Sequence, residues 1–182
     1  MPAPNAISPD KLSRLIGTAR APAILDVRSD ADLAADPRML PGTIRADDRA
    51  LADLPQLPAG PIVVLCQGGH RRSQGAAAWL RAEGRPAEYL EGGFAAWRDA
   101  GWPLIRPDAL PPRDRRGRTV WVTRARPKID RIACPWLIRR FVDPRAVILF
   151  VAPAEVEAVA ERHDAAPLDI EGVFFSHRGD LC

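Results

Sequence analysis

No stretch of the 182-residue chain approaches the ~20 consecutive apolar residues needed to cross a bilayer. The first residues, Met1 to Lys11, lack the basic segment and following apolar segment of a secretory signal. Cysteine is scarce: Cys66, Cys134 and Cys182 are odd in number and their spacing forms no disulfide framework. Free thiols in a reducing cytoplasm are therefore expected, with no membrane partner. Lysine is nearly absent, Lys11 and Lys128 being the only two, so arginine supplies the rest of the positive charge. Its planar fork suits oxyanions, although a coding bias accounts for the same excess. Net charge is only +3, with 26 basic residues among 23 acidic ones and no long lysine-rich run. A mixed, solvated surface is expected rather than a nucleic-acid face. Apolar residues make up 47% of the chain, enough for a core without disulfide or metal staples, which excludes disorder.

The apolar pattern alternates between short buried runs and helical stretches. Ser8 reads as an N-cap with Pro9 at the first helical position and Leu12, Leu15 and Ile16 on one face. Ala23 to Val27 reads as a strand, and the turn-rich stretch from Arg28 to Gly42 holds one short helix around Ala31 to Ala35. Ile62-Val63-Val64-Leu65 is the clearest buried strand, closed by Cys66 and a glycine pair. Ser73 through Glu83 then reads as a helix stopped by Gly84, Ala87 to Leu90 as a strand, and Phe94 to Ala100 as a helix stopped by Gly101 and Pro103. Such alternation predicts an α/β fold: an open, mostly parallel sheet with helices on both faces.

From Pro107 to Arg118 the composition turns to proline and charge, which reads as a linker between domains at 1–106 and 119–182. In the second segment, Thr119 to Thr123, Val147 to Val151 and Gly172 to Ser176 read as strands. Pro153 to His163 reads as a helix whose apolar stripe faces a core.

A thiol at the end of a buried strand, followed by glycines and a helix, sits where backbone N–H groups and a helix N-terminus converge. That geometry stabilises a thiolate and binds a tetrahedral oxyanion, so nucleophile and anion site coincide at Cys66. The residues that carry a family likeness are Leu25-Asp26-Val27-Arg28, Pro41-Gly42-Thr43, the loop Cys66 to Ser73, and Tyr89 to Phe94 with Trp97, Gly101 and Pro103. In this order they resemble a single-domain rhodanese over most of the first hundred residues. The run Gly69-His70, then Ser73-Gln74-Gly75-Ala76-Ala77, is similar to rhodaneses found beside chromate-resistance proteins.

The resemblance implies a sulfurtransferase in which Cys66 takes the outer sulfur from thiosulfate, carries it as a persulfide and passes it to cyanide or a thiol. It implies that Gln67, Gly68, Gly69, His70, Arg71, Arg72 and Ser73 bind the substrate, Gly69 permitting the tight loop. No cofactor or metal is expected for this chemistry. Asp26 and Arg28 read as a structural pair beside the loop.

The same residues fit a second reaction class, since Cys66, five intervening residues, Arg72 and Ser73 also match the signature of cysteine-dependent phosphatases and arsenate reductases. The choice turns on whether Arg72 closes the bowl or stands in the first helical turn. With Leu65 in place of the usual phosphatase histidine, the second arrangement is expected. A non-catalytic module that only captures an oxyanion such as chromate is a third reading.

The segments Trp121 to Arg126, Lys128 to Phe141 and His177 to Cys182 resemble the C-terminal domain of the ChrB chromate-resistance family. That family's domain is about twice as long, so the second segment is expected to be incomplete and to expose apolar surface from Val147 to Phe150 and Phe174-Phe175. Cys134 is either a helix N-cap or a residue one turn inside a helix beginning at Asp130. With His177, Cys182 and His163 it completes the remaining soft ligands, in a spacing that fits no standard zinc motif. Arg124, Arg126, Arg131, Arg139 and Arg140 read as a solvated face, with an oxyanion or nucleic acid as the other possible occupant.

Overall fold

The computed structural model describes residues 4–51, 59–126 and 128–176. The chain divides into two compact units, Met1–Pro107 and Asp108–Cys182.

The first unit is a five-stranded sheet in the order β1-β5-β4-β2-β3 with every pairing parallel. Its strands are β1 (Ala6–Ile7), β2 (Ala23–Asp26), β3 (Thr43–Arg45), β4 (Ile62–Leu65) and β5 (Ala87–Leu90). Its helices are α1 (Pro9–Leu15), α2 (Asp30–Ala35), α3 (Arg71–Ala82) and α4 (Gly93–Asp99). Period-two alternation along β4 divides the core. Ile62, Val64 and Cys66 face one side with Ala76, Ala77 and Leu80 of α3; Val63 and Leu65 face the other with Leu12 of α1 and Phe94 and Trp97 of α4. Each such fully buried aliphatic or aromatic side chain contributes roughly 1.5–3 kcal/mol.

Local chemistry agrees with the sequence at the start of α1, and α2 adds a cap of its own. Ser8 caps α1 by accepting from the Lys11 N–H at 3.2 Å, and Pro9 opens the helix. Ser29 and Asp32 form a capping box on α2. The Ser29 hydroxyl donates to Asp32 at 2.6 Å, and this bond, against the opposing effect of burial, holds the Asp32 carboxyl below its usual range of 3.8. The Ser29 backbone N–H and the charges of Arg28 and Arg72 add to the lowering.

Strands β1 and β3 are not legible as strands in the sequence. Each is an edge strand of at most three residues, too short to display a period. Helix α3 begins two residues earlier than its sequence suggests, at Arg71.

The second unit is a three-stranded parallel sheet in the order β7-β6-β8, with β6 (Val120–Arg124) between β7 (Val147–Val151) and β8 (Ala166–Pro167). Helix α5 (Asp130–Leu137), prolonged by a π-helical turn over Ile138–Val142, lies on the Trp121 face. Helix α6 (Val156–His163) lies on the face of Val120 and Val122. The strand expected at Gly172 to Ser176 does not form. Gly172 adopts φ +81° in a turn, and only a single bridge joins Leu168 and Phe175. The third strand is β8 instead, whose Pro167 lacks the N–H of an interior strand and sits at the sheet edge.

Cys134 lies inside α5 and is half-buried, which removes the N-cap alternative. The charged run 113–118 makes a tight turn. The Arg118 guanidinium grips Asp114 with bonds of 2.9 and 2.8 Å, and Arg113 reaches the buried Asp143 at 3.2 Å. Of the apolar surface expected from Val147 to Phe150 and at Phe174-Phe175, only Phe150 and Phe174 are exposed, while Val147, Ile148, Leu149 and Phe175 are half-buried against the two core clusters of the sheet. Ile129, Ile132, Trp136 and Leu137 add exposed apolar surface from the start and outer face of α5. Among the described residues no helix is long and apolar enough to cross a membrane.

The buried ion pair of the first unit ties β2 to its following loop. Asp26 and Arg28 are 1% and 0% exposed, Arg28 Nε and Nη2 bind Asp26 Oδ2 at 2.9 and 2.7 Å, and the guanidinium lies 3.9 Å above the Phe94 ring. Removing one partner strands a buried charge, so Arg28→Met is expected to cost about 3–5 kcal/mol in urea unfolding. The capping box makes a smaller, pH-dependent contribution. With a folded pKa below the unfolded value, Asp32 adds stability that is complete above about pH 4 and is lost as pH falls through the folded value. Ser29→Ala should therefore flatten that part of the acid-unfolding profile.

Candidate functional site

Strand β4 delivers Cys66 to the carboxyl end of the sheet, in the position where open parallel sheets bind ligands. Cys66 is 6% exposed and its Sγ lies 3.2 Å from the hydroxyl of buried Ser73. The same hydroxyl can donate to the His70 carbonyl at 3.3 Å. Its single proton therefore has two destinations: the carbonyl when sulfur is a thiol that donates to Ser73, or the sulfur itself when it is a thiolate.

Backbone contacts shape the loop. Phe94 and Ala95, at the start of α4, donate their N–H groups to the carbonyls of Cys66 and Gln67 at 2.9 and 3.0 Å. These are groups a helix N-terminus leaves without internal partners. Because a trans peptide points its N–H opposite its C=O, the N–H groups of Gln67 and Gly68 face away from α4. From Gln67 through Ser73, no backbone N–H finds an acceptor among the described residues. Gln74 Nε2 holds the Gly69 carbonyl at 3.0 Å from the other side.

The close approach requires glycine at two positions. Gly69 has φ +72°, and a Cβ there would lie 2.7 Å from both the Gly92 nitrogen and the Leu90 carbonyl oxygen. Gly93, with φ +60°, packs against the Cys66 carbonyl in the same way.

The other expected site residues are distributed around this loop. Gln67 is half-buried with its Oε1 sealed from solvent and lacking a donor, and the His70 ring is exposed and lies over Gly68. Arg71 is exposed at the first position of α3. Arg72 follows in the same turn, and its Nη2 is bound to Asp48 Oδ1 at 2.7 Å. Arg72 lines a cleft with Ser29, Asp30, Arg45 and Arg49, and Cys66 takes no part in that cleft.

Sequence reasoning did not single out Asp48 or Gln74 as loop partners. Asp48 lies 24 residues upstream of Arg72, a separation no local motif reports. The Gly92-Gly93 pair was visible, but only the fold brings it against Gly69. His177 and Cys182 lie outside the described residues; Cys134 packs against the cluster of Trp121 and Ile138.

A methyl group at position 69 would collide with backbone on two sides in a conformation that L-residues rarely adopt. Gly69→Ala is expected to lower the midpoint of thermal unfolding and to abolish any anion binding at the loop. Calorimetry and an iodoacetamide-trapping assay of Cys66 check this; an unchanged midpoint with unchanged thiol reactivity would contradict it.

Comparison with known proteins follows the same division into units. The rhodanese-like domain family matches residues 8–100, just over half of the chain. The ChrB C-terminal domain matches residues 121–182. Over 69 residues, 38% of the chain, it is 42% identical to the protein ChrB of Cupriavidus metallidurans and spans about a fifth of that protein's length. Among solved structures, the chain is similar to a protein of unknown function, a possible tyrosine phosphatase, from Rhodopseudomonas palustris. Identity is 30%, covering 56% of this chain and 84% of that one, with TM-score 0.48. It is also similar to a thiosulfate sulfurtransferase from Pseudomonas aeruginosa, at 28% identity over 57% of this chain and 20% of that one, with TM-score 0.47. A cysteine-bearing loop between β4 and α3, clasped by the turn before α4, thus accompanies the family match, and the chain belongs to the rhodanese-like domain family.

Proposed function

We propose that the first unit is a sulfurtransferase that carries sulfur as a persulfide on Cys66. In the first half-reaction the Cys66 thiolate attacks the outer sulfur of thiosulfate. The bond between the two thiosulfate sulfurs breaks, and sulfite leaves with its electron pair. In the second, a thiolate or cyanide attacks the outer sulfur of the persulfide, the S–S bond breaks, and the Cys66 thiolate returns. Charge at each step stays on sulfur or on the departing oxyanion, and the unpaired N–H groups from Gln67 to Ser73 are the donors that stabilise it. His70 and Arg71 stand at the exposed mouth of the loop. The reaction needs no cofactor.

The observation that carries this reading over a phosphatase or arsenate reductase is the position of Arg72. Helix α3 starts at Arg71, so Arg72 is already helical and its guanidinium is engaged by Asp48. A phosphatase needs that fork on the equatorial oxygens of its substrate. Leu65, buried ahead of the cysteine, supplies no histidine for the other chemistry.

The proposed organisation is a sulfurtransferase module at 1–106 and a ChrB-type module at 119–182, which associates the chemistry with chromate resistance in a reducing cytoplasm. A module that captures an oxyanion without turnover is the alternative, and the covalent step separates the two.

Incubation with thiosulfate is expected to add one sulfur, ~32 Da, to the intact protein, and the adduct should be missing in Cys66→Ser. Absence of the adduct with every sulfur donor would defeat the enzyme reading. Arg72→Ala should leave sulfur transfer largely intact. If Arg72 instead closes the bowl, its loss should cost aryl phosphatase turnover roughly 30- to 1000-fold, equivalent to about 2–4 kcal/mol.

A further inference from the structure

In the second unit the chain departs from β6 to one side and later returns past it to the other. The α5 connection leads to β7 over the Trp121 face, and α6 then returns the chain to β8, on the other side of β6, over the Val120 and Val122 face. In an open parallel sheet such a reversal parts the loops beyond the strands' carboxyl ends and leaves a crevice suited to ligands. Here the crevice measures about 400 Å³. It is lined by Arg124 from the end of β6, by Lys128, Asp130 and Arg131 at the start of α5, and by Asp169 and Glu171 beyond β8.

Its floor is a built polar network. Buried Asp169 accepts from Arg131 Nε at 2.9 Å, and Arg131 Nη1 donates to the Arg126 carbonyl at 2.8 Å. Arg124 Nη2 donates to the Asp169 carbonyl at 2.8 Å and lies 3.6 Å from its carboxylate. Two guanidinium groups therefore converge on one carboxylate, leaving one positive charge in excess on the floor. Arg124 Nε is sealed from solvent and finds no acceptor among the described residues. Arg126 and Asp169 hold left-handed backbone, with φ of 62° and 53°. For arginine this is a strained conformation, of the kind retained around ligand clamps.

The rim differs from the floor. Lys128 forms no ion pair among the described residues, while Asp130 and Glu171 supply carboxylates, so the six side chains balance in charge as a whole. A bare tetrahedral ion would satisfy the floor and leave most of the volume and the Glu171 carboxylate unused. We infer that this crevice binds a small molecule with a compact phosphate-like oxyanion head and hydroxyl or amino donors behind it. The head accepts from Arg124 and Arg131, and the tail donates to Glu171.

The test uses the full chain and the arginine Nε–H signals in 15N NMR, with the Arg124 signal assigned by its loss in Arg124→Lys. At constant ionic strength, glycerol phosphate should shift this signal saturably, and inorganic phosphate should do so about 10-fold more weakly. Lys128→Gln, on the exposed rim, keeps the question open should Arg124→Lys fail to fold. It should weaken glycerol phosphate binding several-fold, read by calorimetry, without altering the unfolding midpoint. An Arg124 signal that does not move, that moves only linearly with either compound, or that responds equally to both would overturn the inference. Calorimetric binding untouched by Lys128→Gln would do the same.

Discussion

The loop of Cys66 owes its shape to a contact between two backbones. Peptide groups of the segment Cys66 to Gly69 lie directly on the turn Gly92-Gly93, closer than any side chain would allow, and the first free N–H groups of α4 take up the carbonyls of Cys66 and Gln67. Turning these carbonyls toward α4 turns the N–H groups of the following residues the other way. One constraint therefore fixes both the path of the chain and the direction of these N–H groups. Everything else at the site is arranged around it: Gln74 steadies the Gly69 carbonyl, Ser73 meets Cys66 Sγ, and α3 begins without a side-chain cap at His70.

The buried pair of Asp26 and Arg28 supports the same end of the sheet from the adjacent strand. Arg28 spends its remaining donors on the carbonyls of Asp36 and Arg38, and its plane rests on Phe94, the first residue after the glycine pair. The guanidinium thus links the loop after β2 to the start of α4, the helix whose N-terminus holds the Cys66 loop. A fully buried ion pair is a poor source of net stability, but one in which every guanidinium nitrogen donates is a specific device for fixing geometry.

Much of this was readable from residues alone where chemistry is local. The β-branched run Ile62 to Leu65, the cap at Ser8 and the glycine stop at Gly84 each announce themselves within a few positions. The strands that escaped notice, β1, β3 and β8, are two or three residues long at sheet edges, where neither period nor composition has room to appear. The overestimated strand at Gly172 to Ser176 shows the reverse error: apolar composition without the backbone to support it, since Gly172 turns the chain. At the site, sequence named the loop but not its restraints. Asp48 and Gly93 act on it across 24 residues, in the case of Arg72, or through a helix N-terminus brought near by folding.

The two units apply one topological opportunity with different donors. In a parallel sheet the carboxyl ends of the strands are where loops diverge and where side chains from several elements meet. The first unit fills that end with backbone N–H groups beside Cys66; in the sulfur transfer proposed for it, charge moves from one sulfur to another and is met wherever it arises. The second fills it with guanidinium groups anchored on Asp169, fixed in place by ion pairing rather than by a glycine contact. Backbone donors are set by the chain path and change only if the loop changes. Guanidinium donors depend on the carboxylate that orients them, so the electrostatics of the second crevice rest on Asp169 in the way that those of the first rest on Gly69 and Gly93.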